Sequence, residues 1–238
     1  MTPEKRIQQL KQTIDLKLTG LKSTLGQDTQ LKEAVSYSLC SSGKRIRPII
    51  VLLIAEALGG YCDVTPAALS VEFFHTASLI ADDLPCMDND ALRRDQASLH
   101  KVYGESVAIL ASYTLIAMGY EYLHKNAVQL QQAGSDGEKR GLTALHTVTK
   151  AAGIFGATTG QFFDLYPPNK DSATIEQTIY QKTVTLFEIT FVYGWVFGGG
   201  DLSCLQTVYQ LAYHLGMAFQ LADDLQDIQN SESLEGAN

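Results

Sequence analysis

Cysteine, proline and tryptophan are scarce in this chain of 238 residues, which carries four, six and one of them. The cysteines, Cys40, Cys62, Cys86 and Cys204, are scattered without metal-ligand spacing. That excludes a disulfide scaffold and a sulfur-bound zinc site, and reads as reduced, mostly packing thiols of a cytoplasmic protein. No apolar run approaches the roughly 18 residues of a membrane span. The longest, "IIVLLIAEAL" (Ile49–Leu58), has the length of a buried helix. The N-terminus lacks a charged-then-apolar signal pattern, and its acids argue against a transit peptide. No Asn-Gly or Asp-Gly turn lies between alternating segments, so no strand is expected. Positive charge is also in deficit, with 18 Lys and Arg against 26 Asp and Glu and a net charge of -8. That balance argues against nucleic acid as a partner. An anionic ligand would have to be drawn by local basic clusters or bound cations, because the global field repels it.

What is present is helical grammar. Ile7, Leu10, Ile14, Leu18 and Leu21 recur at three- and four-residue steps, one face of an amphipathic helix. A second helix is predicted over Gln30–Cys40, stopping at Ser41–Gly43. Pro48 marks a helix start and Gly59-Gly60 its stop. Thr65 as N-cap and Pro66 in the first turn open another. "GESVAILASYTLIAMGYEYLH" continues the pattern. Gln131–Gly141 reads as a polar loop, and long helices are predicted over about 142–165, 174–197 and 203–228. There is no fixed-period repeat and no dividing linker. The expected fold is all-α, a single-domain helical bundle over residues 1–238 with one or two enclosed helices.

"LIADDLPCMDNDALRR" (Leu79–Arg94) crowds Asp82, Asp83, Asp88 and Asp90, with Asp95 just beyond, around two arginines. Asp82 and Asp88 are six apart, about 240° around an ideal helix. Pro85 must end or bulge that helix near Leu84, and the bend can return Asp88 to Asp82. A second cluster, "FQLADDLQD", carries Asp223, Asp224 and Asp227, with Asp223 and Asp227 on one helix face. An isolated acidic pair is most often solvated surface. Two clusters, each ending an apolar helix, call for a cation between them. Oxygen ligands without Cys or His point to Mg²⁺, which shares its shell with waters and substrate phosphates.

The sequence resembles the trans-isoprenyl diphosphate synthases, the family of farnesyl and geranylgeranyl diphosphate synthases, over nearly its whole length. "GKRIRP" looks like the family's first basic motif and "HTASLIADDLPCMDNDALRR" like its first aspartate-rich motif. "GQFFDL" and "KTVTLFE" look like its central motifs, and "FQLADDLQD" like its second aspartate-rich motif. The resemblance implies a bundle with a central cavity, its two acidic motifs facing each other across Mg²⁺ ions that bind an allylic diphosphate. Asp82, Asp88 and Asp223 then match metal ligands, with Asp227 in the same set, and Asp83 and Asp224 support the network. Lys44, Arg47, His75 and Arg94 match positions for isopentenyl diphosphate. Arg93, Lys182, Thr183 and Gln220 match contacts to the allylic diphosphate. Taken alone, the basic loop at 44–47 would be a solvated segment and His75 a hydrogen-bonded core residue. Gln161 and Asp164 are either interhelical contacts or ligand contacts.

The resemblance implies a Mg²⁺-dependent prenyltransferase, homodimeric and without a membrane span, that makes a short-chain product, geranylgeranyl or farnesyl diphosphate. Phe74, Ser78 and Asp82 share a helix face, and Ala77 and Ser78 are small, so a growing tail can run down it. Phe74, about 12 Å below the metal, is a candidate floor. Departures from the family pattern stand at Ala81, Asp95 and Tyr113, and the chain ends eleven residues after Asp227, where family members continue. Those departures are what a non-catalytic subunit of a heteromeric synthase would carry. A terpene cyclase of related fold would have no use for the Lys44/Arg47/His75 pocket.

Overall fold

In a computed structural model, residues 2–60, 62–134 and 136–235 are described, at 227, 228 and 230–235 by backbone alone. The chain forms α1 (Pro3–Leu21), α2 (Gln30–Cys40), α3 (Ile46–Ala57), α4 (Thr65–Asp82), α5 (Leu99–Tyr103), α6 (Glu105–Gln132), α7 (Gly137–Ala152), α8 (Ala157–Leu165), α9 (Ser172–Ile179), α10 (Thr185–Phe197) and α11 (Leu205–Glu235). The all-α reading holds.

Two helices are enclosed, as their apolar composition requires. α4 buries residues on all sides, including Val71, Phe73, Phe74 and Ala77, and α10 buries nearly every residue from Thr185 to Phe197. α4 packs along α6 and against α3 and α10, while α10 also meets α7 and α11. Each large aliphatic or aromatic side chain sealed this way, such as Phe187 or Leu115, contributes about 1.5–3 kcal/mol. α1 and α2 begin at Thr2 and Thr29, whose hydroxyls accept from Lys5 and Lys32 N–H.

Several boundaries differ from the sequence expectation. Thr65 is the first helical residue of α4, not its cap; Asp63 Oδ1 accepts from its N–H at 2.8 Å. The predicted loop at 131–141 shrinks to the turn between Gln132 and Gly137. The helix predicted over 142–165 breaks between Ala152 and Ala157. The one predicted over 174–197 contains a π-helical turn, Tyr180–Val184. A two-residue hairpin is present where none was expected: β1 (Leu92–Arg93) pairs antiparallel with β2 (Gln96–Ala97). Its turn residues, Arg94 and Asp95, have φ of 56° and 63°, as a type I′ turn demands. Three of the four free cysteines, Cys40, Cys86 and Cys204, are exposed, so the packing role assigned to them is not theirs.

Among the described residues α6 is long and apolar enough to cross a membrane by length and composition, although its apolar residues do not form one contiguous run. Its inner stripe, Ala108, Ala111, Leu115, Met118 and Leu123, is buried in the bundle, while Leu110, Tyr113 and Ile116 are exposed.

Candidate active site

α4 ends at Asp82, and the chain through Pro85 turns back so that Asp88 N–H donates to the Asp82 carbonyl at 2.9 Å. The proline-forced bend therefore restores the proximity of Asp82 and Asp88 that helical spacing denies. α11 brings Asp223 to the opposite wall. A cavity of about 780 Å³ is lined by Lys44, Arg47, His75, Asp82, Asp88, Arg93, Arg94, Lys182, Thr183, Gln220 and Asp223. The structure thus gathers four distant segments of sequence on one surface.

Two of the predicted acids stand apart from it. Asp83 is 3% exposed and accepts from Arg93 Nε at 2.8 Å, and Arg93 Nη2 also donates to Asp90. Asp83 is tied to Arg93 and has no face on the cavity. Asp224 accepts from Gln220 Nε2 at 2.7 Å, and Gln220 Oε1 accepts from Thr183 Oγ1 at 2.8 Å. That chain of bonds ties α11 to the π-helical turn, while Asp224 itself lines an outer groove. Lys182, on the π-helical turn, pairs with Asp164. The side chain of Asp227 lies outside the described residues.

The electrostatics divide the cavity. Burial pushes the Asp82 carboxyl up to about 6, against the attraction of Lys182 and with help from Asp88. None of Asp82, Asp88 and Asp223 has a side-chain hydrogen bond or ion pair among the described residues. On the other side Arg47 is held by burial down to about 10, and His75 lies well below its usual 6.5, through burial first and the neighbouring Arg47 and Arg94 charges next. Arg47 Nη1 and His75 Nε2 are 3.3 Å apart, and the Arg47 guanidinium lies over the Phe187 ring. His75 is therefore neutral at pH 7, while Arg47 keeps its charge.

Among the described residues no three acid, histidine or cysteine side chains converge as a closed metal cage. The donor set is nevertheless right for a hard cation that completes its shell with water and phosphate oxygens: carboxylates alone, unpartnered and one of them half-desolvated. Asp82, Asp88 and Asp223 fit Mg²⁺ in that open sense.

A second cavity, of about 860 Å³, opens from the same wall; both are lined by Ser78, Asp82 and Leu186. It is apolar, with Phe74, Ala77 and Ala81 from α4, Ser112, Ile116 and Tyr120 from α6, and Phe162 and Tyr166 from the α8 region. Phe74 meets Tyr120 edge-on at 5.1 Å. Its ring rests on Gly119, where a Cβ would lie 2.6 Å from Cζ. Gln161 also lines this cavity, both its side-chain polar atoms buried and unpartnered. The walls on α6 and α8 were missed by sequence reasoning; the small-residue face of α4 was the only signal. Of the departures, Ala81 opens this cavity, and Tyr113 is exposed on α6 away from both cavities. Asp95 lines the polar cavity without an ion pair to Arg93 or Arg94 among the described residues.

An all-α bundle with two aspartate-bearing helix segments facing a cationic pocket defines an isoprenoid synthase. The polyprenyl synthetase family model matches residues 28–238, and the chain belongs to that family. It is 36% identical over 214 residues to geranylgeranyl pyrophosphate synthase 7, chloroplastic, of Arabidopsis thaliana, covering 87% of this chain and 60% of that one. It is also 36% identical over 217 residues to heterodimeric geranylgeranyl pyrophosphate synthase large subunit 2 of the same plant, covering 88% and 56%. The chain spans less than two thirds of the length of these curated relatives. Among solved structures it is similar to a geranyltranstransferase from Thermotoga maritima, with TM-score 0.80, 30% identity and coverage of 94% and 80%. It is also similar to an apo FPP/GFPP synthase from Zymomonas mobilis, with TM-score 0.82, 27% identity and coverage of 93% and 81%.

Proposed function

We propose that the protein is a Mg²⁺-dependent prenyltransferase. It condenses isopentenyl diphosphate with an allylic diphosphate to give a short-chain trans-prenyl diphosphate, with geranylgeranyl diphosphate the favoured length. The observation that carries this reading is the pair of cavities joined at Asp82: a charged compartment for diphosphates opening into an apolar one for a hydrocarbon tail.

In this reading the allylic carbon–oxygen bond breaks, the isopentenyl double bond attacks the resulting cation, and a proton leaves to the released pyrophosphate. Asp82, Asp88 and Asp223, with Asp227, would hold Mg²⁺, which when bound would supply positive charge to offset that of the leaving pyrophosphate. Lys182, Thr183, Gln220 and Arg93 hold that diphosphate at the cavity rim, and Asp83 fixes Arg93. Lys44, Arg47, His75 and Arg94 bind the second diphosphate through side-chain donors alone, so its carbon–oxygen bond stays unpolarised. Ser78 and Ala77 leave room for the tail, and Phe74 on Tyr120 forms its floor.

A homodimer fits the outer face of α6, where Ile109, Leu110 and Tyr113 are exposed. A subunit role in a heteromeric synthase is the second reading, favoured by the likeness to a heterodimeric large subunit. One assay tests both. Purified protein with Mg²⁺, isopentenyl diphosphate and each allylic diphosphate is expected to yield longer prenyl diphosphates. No product alone, but altered products with a partner synthase, supports the subunit. A hydrocarbon from the allylic substrate alone overturns both in favour of a cyclase.

A further inference from the structure

Arg45 lies between Lys44 and Arg47, is 4% exposed, and has φ of 51°. A left-handed arginine persists only where its surroundings over-determine it. Here they do. Nε donates to Asp15 Oδ1 at 2.9 Å, Nη1 to Glu72 Oε1 at 2.6 Å, and Nη2 to the carbonyls of Leu39 and Ser41 at 2.8 and 2.7 Å. Four of its five N–H groups have partners within the protein. Its guanidinium therefore has no free fork for a phosphate, although it forms part of the cavity wall.

Those four bonds join α1, α2 and α4 to the segment that carries Lys44 and, in the first turn of α3, Arg47. Glu72, itself 1% exposed, stands three residues before His75 on α4, so both lie on one face. The Arg45–Glu72 pair thus fixes the register between Arg47 and His75. The neighbouring Gly43 seats Arg94: a Cβ there would lie 2.8 Å from Arg94 Nη1, and Ser42 Oγ donates to the Arg94 carbonyl at 3.1 Å. Lys44, Arg47, His75 and Arg94 come from the loop after α2, from α3, from α4 and from the hairpin turn, and Arg45 is the side chain that holds the first three together.

We propose that Arg45 is a positioning residue for the metal-independent diphosphate subsite, setting affinity for the diphosphate that is not ionised. The substrate assignment rests on the function proposed above; the anion assignment stands on the geometry alone. Arg45→Met by itself strands the buried Glu72 carboxylate, so the informative variant is Arg45→Met/Glu72→Gln, with Arg45→Lys as a second that keeps the charge and loses the fork.

With chelator present to exclude metal, inorganic pyrophosphate should bind the wild-type protein and bind the double variant about tenfold more weakly, with Arg45→Lys intermediate. Under turnover conditions KM for isopentenyl diphosphate should rise about tenfold while KM for the allylic diphosphate stays within about twofold. Equal pyrophosphate affinity in wild type and variants overturns the proposal, as does no binding to the wild type, or a parallel rise in both KM values. If the double variant does not fold, Arg45→Lys decides by the same criteria. Loss of pyrophosphate binding in the variants of a wild type that turns over no substrate sinks the enzymatic reading and leaves the role of Arg45 intact.

Discussion

The cavity walled by Lys44, Arg47, Asp82, Asp88 and Asp223 and the cavity walled by Phe74, Ser112, Ile116 and Tyr120 meet at Asp82, yet they are made by different means. The first is assembled from loops and helix ends: a left-handed arginine, a proline bend, a hairpin turn and a π-helical turn. The second lies mostly between helices and owes its space to small residues on α4, Ala77, Ser78 and Ala81. Irregular backbone fixes charges whose mutual repulsion would otherwise scatter them, whereas helix packing sets the depth of a tail pocket. Changes in the first should therefore alter rate and binding, and changes in the second should alter which product forms.

The largest test of that division is at the shared wall. Asp82→Asn and Asp223→Asn should each lower kcat by about two to three orders of magnitude with unchanged product length, measured by steady-state turnover. A change in product length with intact rate would break the comparison. Next in size is Phe74→Ala. Removing the ring from its seat on Gly119 should lengthen the product by at least one isoprene unit, read by chromatography, with kcat within about tenfold of wild type. Gly119→Ala, which displaces the same ring, should redistribute products without touching any charged group.

The head cavity also carries a stability signature. Burial raises the folded-state Asp82 carboxyl from its usual 3.8 to about 6, so the folded state holds that proton more tightly than the unfolded chain. The benefit is present below about pH 4 and is lost as pH rises through about 6. In chelator at about pH 7.5, Asp82→Asn should stabilise the protein by about 2–3 kcal/mol, and by nothing near pH 4, in thermal melts. The smallest effect belongs to the hairpin. Asp95 at φ 63° occupies a position glycine favours, so Asp95→Gly should add about 0.5 kcal/mol and raise Tm by about 1–2 °C.

The helices and the acidic pairs were legible because periodicity, Pro85 and carboxylate spacing act locally. The end of α2 came directly from the Ser41–Gly43 stop. The π-helical turn under Lys182 was not legible, since no residue in "YQKTV" forbids an ordinary helix. Nor was the Arg94–Asp95 turn, in which arginine adopts a conformation its own preference opposes. Asp83 and Asp224 resembled their neighbours in sequence, but only the fold turns them toward Arg93 and Gln220. The tail cavity depends on which faces of α6 and α8 line the space beside α4, information carried by tertiary packing alone.

The central claim is that Asp82 stands where the charged and apolar compartments join, with a cation between it and Asp223. A crystal structure with Mg²⁺ and an unreactive allylic thiodiphosphate tests it most directly. The account predicts metal-bridged phosphates between Asp82, Asp88 and Asp223, with the hydrocarbon passing Ser78 to end against Phe74 and Tyr120. A diphosphate bound elsewhere, with Asp82 cation-free and the tail in solvent, would contradict it.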